Sequence, residues 1–154
     1  MFHCLNWHTV KLFFISLAAY IALDFIWILY FMKDFYKEKL SPFVTMGDNM
    51  EMIKYAAAFA VWVLIVKGII IFVLPRSHGS YIHAAVKGAI YGLIVYGSYE
   101  LTNFAVLANW PTQMVGYDIA WGVFLCSFIS VLSLFVAHWC GCEKMLNCEM
   151  KKGF

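Results

Sequence analysis

Three acidic residues lie inside strongly apolar parts of this sequence, where groups that can bind a proton or a cation are rare. They are Asp24 in the segment LDFIW, Glu100 in YELTN and Asp118 in YDIAWG. A carboxylate at the centre of a membrane helix costs roughly 2.5–3.5 kcal/mol, so such acids usually face a bundle interior or a wet cavity. If two or three of them lie close together in a low dielectric, they cannot all stay ionised. At least one then binds a proton or shares a cation.

Two tryptophans stand three residues after two of these acids, Trp27 after Asp24 and Trp121 after Asp118. Residues at that spacing share one face of a helix, so an indole N–H can donate to the carboxylate and favour its charged form. Amide and hydroxyl groups nearby could complete a binding site. We predict that an ion or substrate is bound by Asp24, Glu100, Asp118, Asn103 and Thr102, with support from Trp27, Trp121 and Tyr99.

Each acid also has a structural interpretation, which the sequence leaves open. Asp118 stands near the start of an apolar run, and the macrodipole at a helix N-terminus favours a negative charge there. Asp24 or Glu100 could pair with Lys67 as a structural lock. The Lys67 stem could equally extend along the helix and carry its ammonium group to the lipid headgroups.

The elements that must position these residues are four long apolar runs. The chain has 154 residues, 64% hydrophobic and 13% charged, whereas a soluble domain has roughly a quarter charged residues. The runs approach or exceed the ~20 residues that a helix needs to cross ~30 Å of hydrocarbon. We predict one all-α domain over residues 1–154, an integral membrane four-helix bundle. Its spans are expected at about 12–32, 55–74, 84–108 and 115–139.

The connections predict how the helices are arranged. The links after the second and third runs are short, so sequential helices should be antiparallel neighbours with both termini on one side. Lysine and arginine are more frequent on that side, which predicts cytoplasmic termini and a cytoplasmic tail, residues 140–154, with cysteines and lysines. The loop over 33–54 predicts a short amphipathic piece at the interface, with its apolar side at Tyr36, Leu40, Phe43 and Met46.

Small residues indicate where two helices can approach closely. Gly88 and Gly92 in the third run form a small-xxx-small pair, which admits a neighbouring helix. The fourth run has its own stripe, made of Asp118, Gly122, Cys126, Ser130, Ser133 and Ala137. We expect the third and fourth helices to pack along these stripes, with the acids at one end of the seam. Packing alone would also explain the small residues.

Four possible metal ligands stand near the end of the chain, His138, Cys140, Cys142 and Cys148. The C-x-C-x5-C spacing matches no standard zinc pattern, which favours unmodified thiols, or palmitoylated ones in a eukaryotic host, over a metal site. We expect no cofactor. No basic run is long enough to follow a phosphate backbone, so nucleic acid is not an expected partner.

Taken together, the segments LDFIW, DFYKEKL, YELTN, NWP and YDIAWG resemble a family of small bacterial predicted membrane proteins, known as a domain of unknown function. The likeness covers roughly residues 11–139 and implies a four-span membrane protein without an assigned reaction. The family's usual residue at position 100 is aspartate, which implies that a carboxylate is needed there and that its reach can vary. The motif positions are Asp24, Trp27, Tyr36, Glu100, Thr102, Asn103, Trp110, Pro111, Asp118 and Trp121.

Three functions fit a multi-pass protein of this kind in the lipid bilayer. The first is a small proton- or cation-dependent transporter or channel that uses the carboxylates and, because four helices make a small pore, works as a homo-oligomer. The second is a membrane-embedded enzyme or accessory factor that acts on a lipid-like ligand, with paired carboxylates as acid and base. The third is a non-catalytic assembly partner whose polar residues hold helices together.

Overall fold

The computed structural model describes residues 7–40 and 52–139, and all regular structure within these two ranges is helical. The first helix, α1, covers Trp7–Ile26 and continues as a π-helical turn, Trp27–Phe31. The short helix α2 follows at Lys33–Leu40. It agrees with the amphipathic piece predicted around Tyr36, whereas Phe43 and Met46 lie outside the described residues.

Three further helices complete the described part of the chain. α3 covers Met52–Gly68 and continues as a π-helical turn, Ile69–Val73, and a 3-10 turn, Pro75–Ser77. α4 covers Tyr81–Val106, and α5 covers Thr112–Trp139. Proline cannot donate a backbone hydrogen bond, so the chain leaves the regular helix where Pro75 stands.

Three helical segments are long and apolar enough to cross a membrane. They are Trp7–Phe31, Met52–Ser77 and Thr112–Trp139, which correspond to the first, second and fourth predicted spans. α4 has 26 residues but is more polar, so length and composition alone do not select it. Large apolar side chains cover the outside of the bundle, including Phe14, Leu64, Ile94 and Phe135. Such a surface suits hydrocarbon, since it would be unfavourable in water.

Tight turns join the helices on either side of α4. His78 and Gly79 adopt positive φ angles of 51° and 74°, which reverse the chain after α3. Ser80 then caps α4, and its hydroxyl accepts a hydrogen bond from the backbone N–H of His83 at 3.4 Å. Between α4 and α5, Asn109 adopts a positive φ of 64°, a conformation that asparagine tolerates better than most residues.

α4 and α5 pack as an antiparallel pair along the predicted small-residue seam. A Cβ atom built on Gly92 would overlap the backbone carbonyl of Gly122, and one on Gly88 would lie 2.6 Å from the Cys126 carbonyl oxygen. Contacts this close to backbone atoms are possible only for glycine. The predicted packing of the third and fourth helices is therefore confirmed over this stretch.

Interhelical hydroxyl contacts join α1 to the α4–α5 pair. Ser16 of α1 and Ser133 of α5 share a hydrogen bond of 2.7 Å, and both side chains are fully buried. One helical turn further along α1, the hydroxyl of Tyr20 is hydrogen-bonded to the hydroxyl of Tyr96 on α4. These contacts fix the rotation of α1, which places Asp24 toward the bundle interior.

Candidate functional site

The three predicted acids lie near the same end of the helix bundle. At this end α1 passes into α2, α4 ends and α5 begins. Asp24, Glu100 and Asp118 stand six or seven residues from those helix ends, or roughly 10 Å along a helix axis. We call the part of the bundle from these acids to α2 the α2 half, and the remainder the opposite half.

Asp24 is an anchor point for three helices. Its Oδ2 accepts a hydrogen bond of 2.9 Å from the indole N–H of Trp62 on α3, and its Oδ1 accepts one of 3.0 Å from Trp121 on α5. The Trp121 ring stacks on Trp27, with centroids 4.5 Å apart and planes 4° from parallel. Both oxygens of this carboxyl group, which is only 8% accessible, are thus hydrogen-bonded, and these bonds fix its position between α1, α3 and α5.

These partners differ from the pairs that the i, i+3 spacing predicted. Trp121 donates to Asp24 rather than to Asp118, and Trp27 stacks on Trp121 instead of donating to Asp24. Two side chains on one face of a helix contact the same neighbouring helix. The indole can therefore donate to a residue of that neighbour, as Trp121 of α5 donates to Asp24 of α1. Trp62 was missed, although an indole inside an otherwise apolar run is a signal for a buried acceptor.

Glu100 is the most enclosed of the acids, with no accessible surface. Its Oε2 accepts a hydrogen bond of 3.0 Å from the indole N–H of Trp110, which stands in the turn between α4 and α5. Its Oε1 has no hydrogen-bond partner within the described residues. One side of this carboxyl group is therefore held by Trp110, and the group also interacts with the carboxyl group of Asp118.

Asp118 interacts electrostatically with both Glu100 and Asp24. Its Oδ1 accepts a hydrogen bond from the hydroxyl of Tyr36 on α2. Burial, together with the charge of Asp118, raises the pKa of the Tyr36 hydroxyl, so this group keeps its proton and acts as the donor. Asp118 thus connects α2 to the carboxyl cluster, which we define as Asp24, Glu100 and Asp118.

Three buried polar atoms of the α2 half lack a hydrogen-bond partner in the described ranges. They are Trp27 Nε1, Glu100 Oε1 and Asn103 Nδ2. An unsatisfied buried polar group costs roughly 1–3 kcal/mol, so such atoms normally meet water or a ligand. The set contains two donors and one acceptor. It suits a species that can both accept and donate hydrogen bonds, as water does.

Other residues of the predicted site lie apart from the carboxyl cluster. The Thr102 hydroxyl donates to the Ser98 carbonyl oxygen at 2.6 Å, and the Tyr99 side chain is 61% accessible on the outside of α4. Lys67 is exposed on α3 and has no carboxylate partner; the one ion pair in the described ranges joins Lys39 and Glu38 on α2. A lock between Lys67 and Asp24 or Glu100 is therefore wrong.

The predicted metal candidate lies at the far end of the opposite half. The Nδ1 atom of His138 and the Tyr81 hydroxyl are 3.0 Å apart and hydrogen-bonded. Its possible co-ligands Cys140, Cys142 and Cys148 fall outside the described residues. Within 7–40 and 52–139, no three His, Cys, Asp or Glu side chains are grouped closely enough to hold a metal ion, and this includes the carboxyl cluster.

No curated protein and no solved structure was found to match this chain. A family model matches residues 9–135, which confirms the resemblance inferred from the sequence segments. The family's description and the three helices long enough to span a bilayer agree that this is a membrane protein. The chain belongs to the family of unknown function described as "Predicted membrane protein (DUF2177)".

Proposed function

We propose that this protein is a small proton- or cation-dependent transporter, and that the carboxyl cluster binds and releases the positive charge. The observation that carries this proposal is the position of Asp118, which interacts with both other acids in the part of the bundle that the structure describes. The only ion pair in that part is the Lys39–Glu38 pair on α2, so no lysine or arginine among the described residues forms an ion pair with the cluster.

The charge balance of the cluster favours an exchangeable partner. Both oxygens of Asp24 accept indole hydrogen bonds, which hold its carboxyl group in place. Glu100 and Asp118 interact with each other, and two neighbouring carboxyl groups in a low dielectric share a proton or a cation rather than ionise together. Their partner is more readily a proton than a multivalent metal ion, since no three ligands are grouped for a metal in the described ranges.

The proposal includes α4 as a fourth span. At 26 residues its length is about 39 Å, and its glycines bring it against the spanning helix α5. Its two charged residues, Lys87 and Glu100, each stand six residues from an end of the helix, where a charge is less costly than at the centre. Four antiparallel spans put both termini on one face, and the lysine and arginine bias assigns that face to the cytoplasm. Reporter fusions at either terminus and within residues 107–111 test this topology.

A homo-oligomer is also part of the proposal. Four helices packed against one another leave no room for a wide pore within one chain. The broad apolar outer surface provides area for a second copy. Crosslinking in native membranes followed by mass measurement tests this expectation, and a protein that stays monomeric at all lipid dilutions would contradict it.

Flux in reconstituted vesicles tests the transport function. With a pH-sensitive dye inside the vesicles, an imposed proton or sodium gradient should produce flux through the native protein. Glu100→Gln and Asp118→Asn should each abolish this flux while leaving the protein folded. Asp34→Asn is the matched control, because Asp34 lies on the exposed side of α2 and touches none of the cluster. Native flux that persists in both cluster variants would refute the proposal.

One observation favours a lipid-modifying enzyme as the second candidate. The unpartnered Trp27 and Asn103 nitrogens are donors, which suit a neutral substrate oxygen better than a cation. In that case Glu100 and Asp118 act as acid and base. Cells that produce the native protein would then show a lipid species that disappears in the Asp118→Asn variant, while vesicle flux would be absent throughout.

A further inference from the structure

An open groove lies at the surface of the α2 half. Its volume is about 430 Å³, large enough for many water molecules or a small hydrated cation. It offers carboxylate, ammonium, amide and hydroxyl groups. The residues that line it are Glu38, Lys39, Asn109, Pro111, Thr112 and Gln113.

The groove and the carboxyl cluster share one wall. Asn109 and Pro111 line the groove, and Trp110 between them turns inward. Its indole N–H donates to Glu100 Oε2 at 3.0 Å. Movement of the turn between α4 and α5 would therefore act directly on Glu100, and a species in the groove is separated from Glu100 by this turn.

α2 covers the other side of the cluster with few contacts. None of its residues is buried. It is joined to α5 by the hydrogen bond from Tyr36 to Asp118 and by the edge-to-face contact of Phe35 with Tyr117, whose ring centroids are 5.7 Å apart. A short segment without a buried residue can open at low cost compared with the helices of the bundle.

The opposite half is closely packed within the described ranges. Its hydroxyl groups are paired across helices, Ser16 with Ser133 and Tyr20 with Tyr96. Fully buried apolar side chains fill the space between them, among them Leu12, Leu125, Ile129 and Leu134. Close packing of this kind excludes water.

We propose that the groove is the entrance site through which water and small cations reach the carboxyl cluster. α2 covers the cluster and is held closed by the hydrogen bond from Tyr36 to Asp118. The cluster is then open to the α2 face alone. The proposal rests on the proposed function only in taking the carboxyl cluster as the destination. It adds a side of entry, an entrance site and a residue that controls opening.

Accessibility of a single introduced thiol tests the proposal. Cys4, Cys140, Cys142 and Cys148 are replaced by serine, and Asn103→Cys is added at one of the unpartnered positions. The probe is a membrane-impermeant, positively charged methanethiosulfonate, applied to one face of oriented vesicles at a time. Gln113→Cys in the groove and His83→Cys at the start of α4 identify the two faces. The native Cys126, which is fully buried, is the internal control for a position that the probe should not reach.

We expect the thiol at position 103 to react only from the face that labels Gln113→Cys. Adding Tyr36→Phe removes the hydrogen bond that closes α2 and should raise the reaction rate about tenfold. Phe35→Ala keeps the hydroxyl and should raise the rate less, which provides a second test if Tyr36→Phe does not fold. Cys126 should stay unreactive in every variant.

Several results would overturn the proposal. They are labelling of position 103 from the His83 face, no labelling from either face, and a rate that neither Tyr36→Phe nor Phe35→Ala changes. The measurement needs no transport. One-sided labelling that depends on Tyr36, combined with absent flux, would reject the proposed transport and retain the entrance. Carboxylate-dependent flux with labelling of position 103 from both faces would support the proposed transport and reject the entrance.

Discussion

The two halves of the bundle satisfy their polar groups in different ways. In the opposite half, the fully buried hydroxyl groups of Ser16 and Ser133 bond to each other. In the α2 half, indole donors hold Asp24 on both oxygens and Glu100 on one, and three buried polar atoms have no partner within the described residues. Polar residues in a membrane bundle thus serve assembly where they are fully paired, and become available for binding where pairing is incomplete.

The glycines follow the same division. Gly88, Gly92 and Gly122 have backbone or ring atoms where a side chain would stand. Around Gly97, which is buried one turn before Glu100, no atom outside the neighbouring backbone lies within 4 Å of such a position. Packing around α4 is therefore tight at Gly88 and Gly92 and looser at Gly97, one turn from Glu100.

The largest effect is expected from filling the tight part of the seam. Gly92→Val places a branched side chain against the Gly122 carbonyl, where backbone must move, and should lower the free energy of unfolding by at least about 3 kcal/mol. Gly97→Ala is the matched control in the same helix. It adds a methyl group to open space and, through helix propensity, should be neutral or stabilising by up to about 1 kcal/mol. Unfolding of detergent-solubilised protein by sodium dodecyl sulfate measures both. Equal losses would show that the seam is uniform.

The next largest effect is a difference in stability between variants of Asp24, which holds helices together, and of Glu100, which has an oxygen without a hydrogen-bond partner in the described ranges. Asp24→Asn replaces one acceptor by a donor, so either Trp62 or Trp121 loses its partner. We expect a loss of about 2 kcal/mol in the free energy of unfolding. Glu100→Gln keeps an oxygen for Trp110 and puts an amide N–H at the unpartnered position, so its stability should change by less than about 1 kcal/mol. Thermal unfolding of both variants in the same detergent gives the comparison. A larger loss for Glu100→Gln would assign the structural role to Glu100 instead.

Much of this arrangement could be predicted from the sequence, because it depends on periodicity. Spacing by four residues gave the faces on which Gly88 and Gly92 meet α5, and helix rise gave the common level of the three acids. The donors to Asp24 could not be predicted in this way. Trp62 is 38 residues away and its partner depends on how α1 and α3 are rotated against each other, which local pattern does not specify.

The same limit applies to Trp110 and Tyr36. Both belong to segments that sequence reasoning treats as connections, yet the turn between α4 and α5 sends an indole inward, and α2 folds back over α5. Residues in short connections are placed by the helices on either side. Their contacts with a buried site become visible only when the whole arrangement is known.

The smallest effect concerns the paired hydroxyls of the opposite half. Ser133→Ala removes the bond to Ser16 and leaves one buried hydroxyl without a partner, which should cost about 1 kcal/mol, as for other interhelical hydrogen bonds in membranes. The double variant Ser16→Ala with Ser133→Ala removes both groups, so its loss should be smaller than the sum of the two single losses. Ser16→Ala, Ser133→Ala and the double variant should all transport as the native protein does, because the opposite half contributes no group to binding. If the single or double variant changed flux without changing stability, the hydroxyl pairs would belong to a conduction path, and the division between a binding half and a sealed half would be wrong.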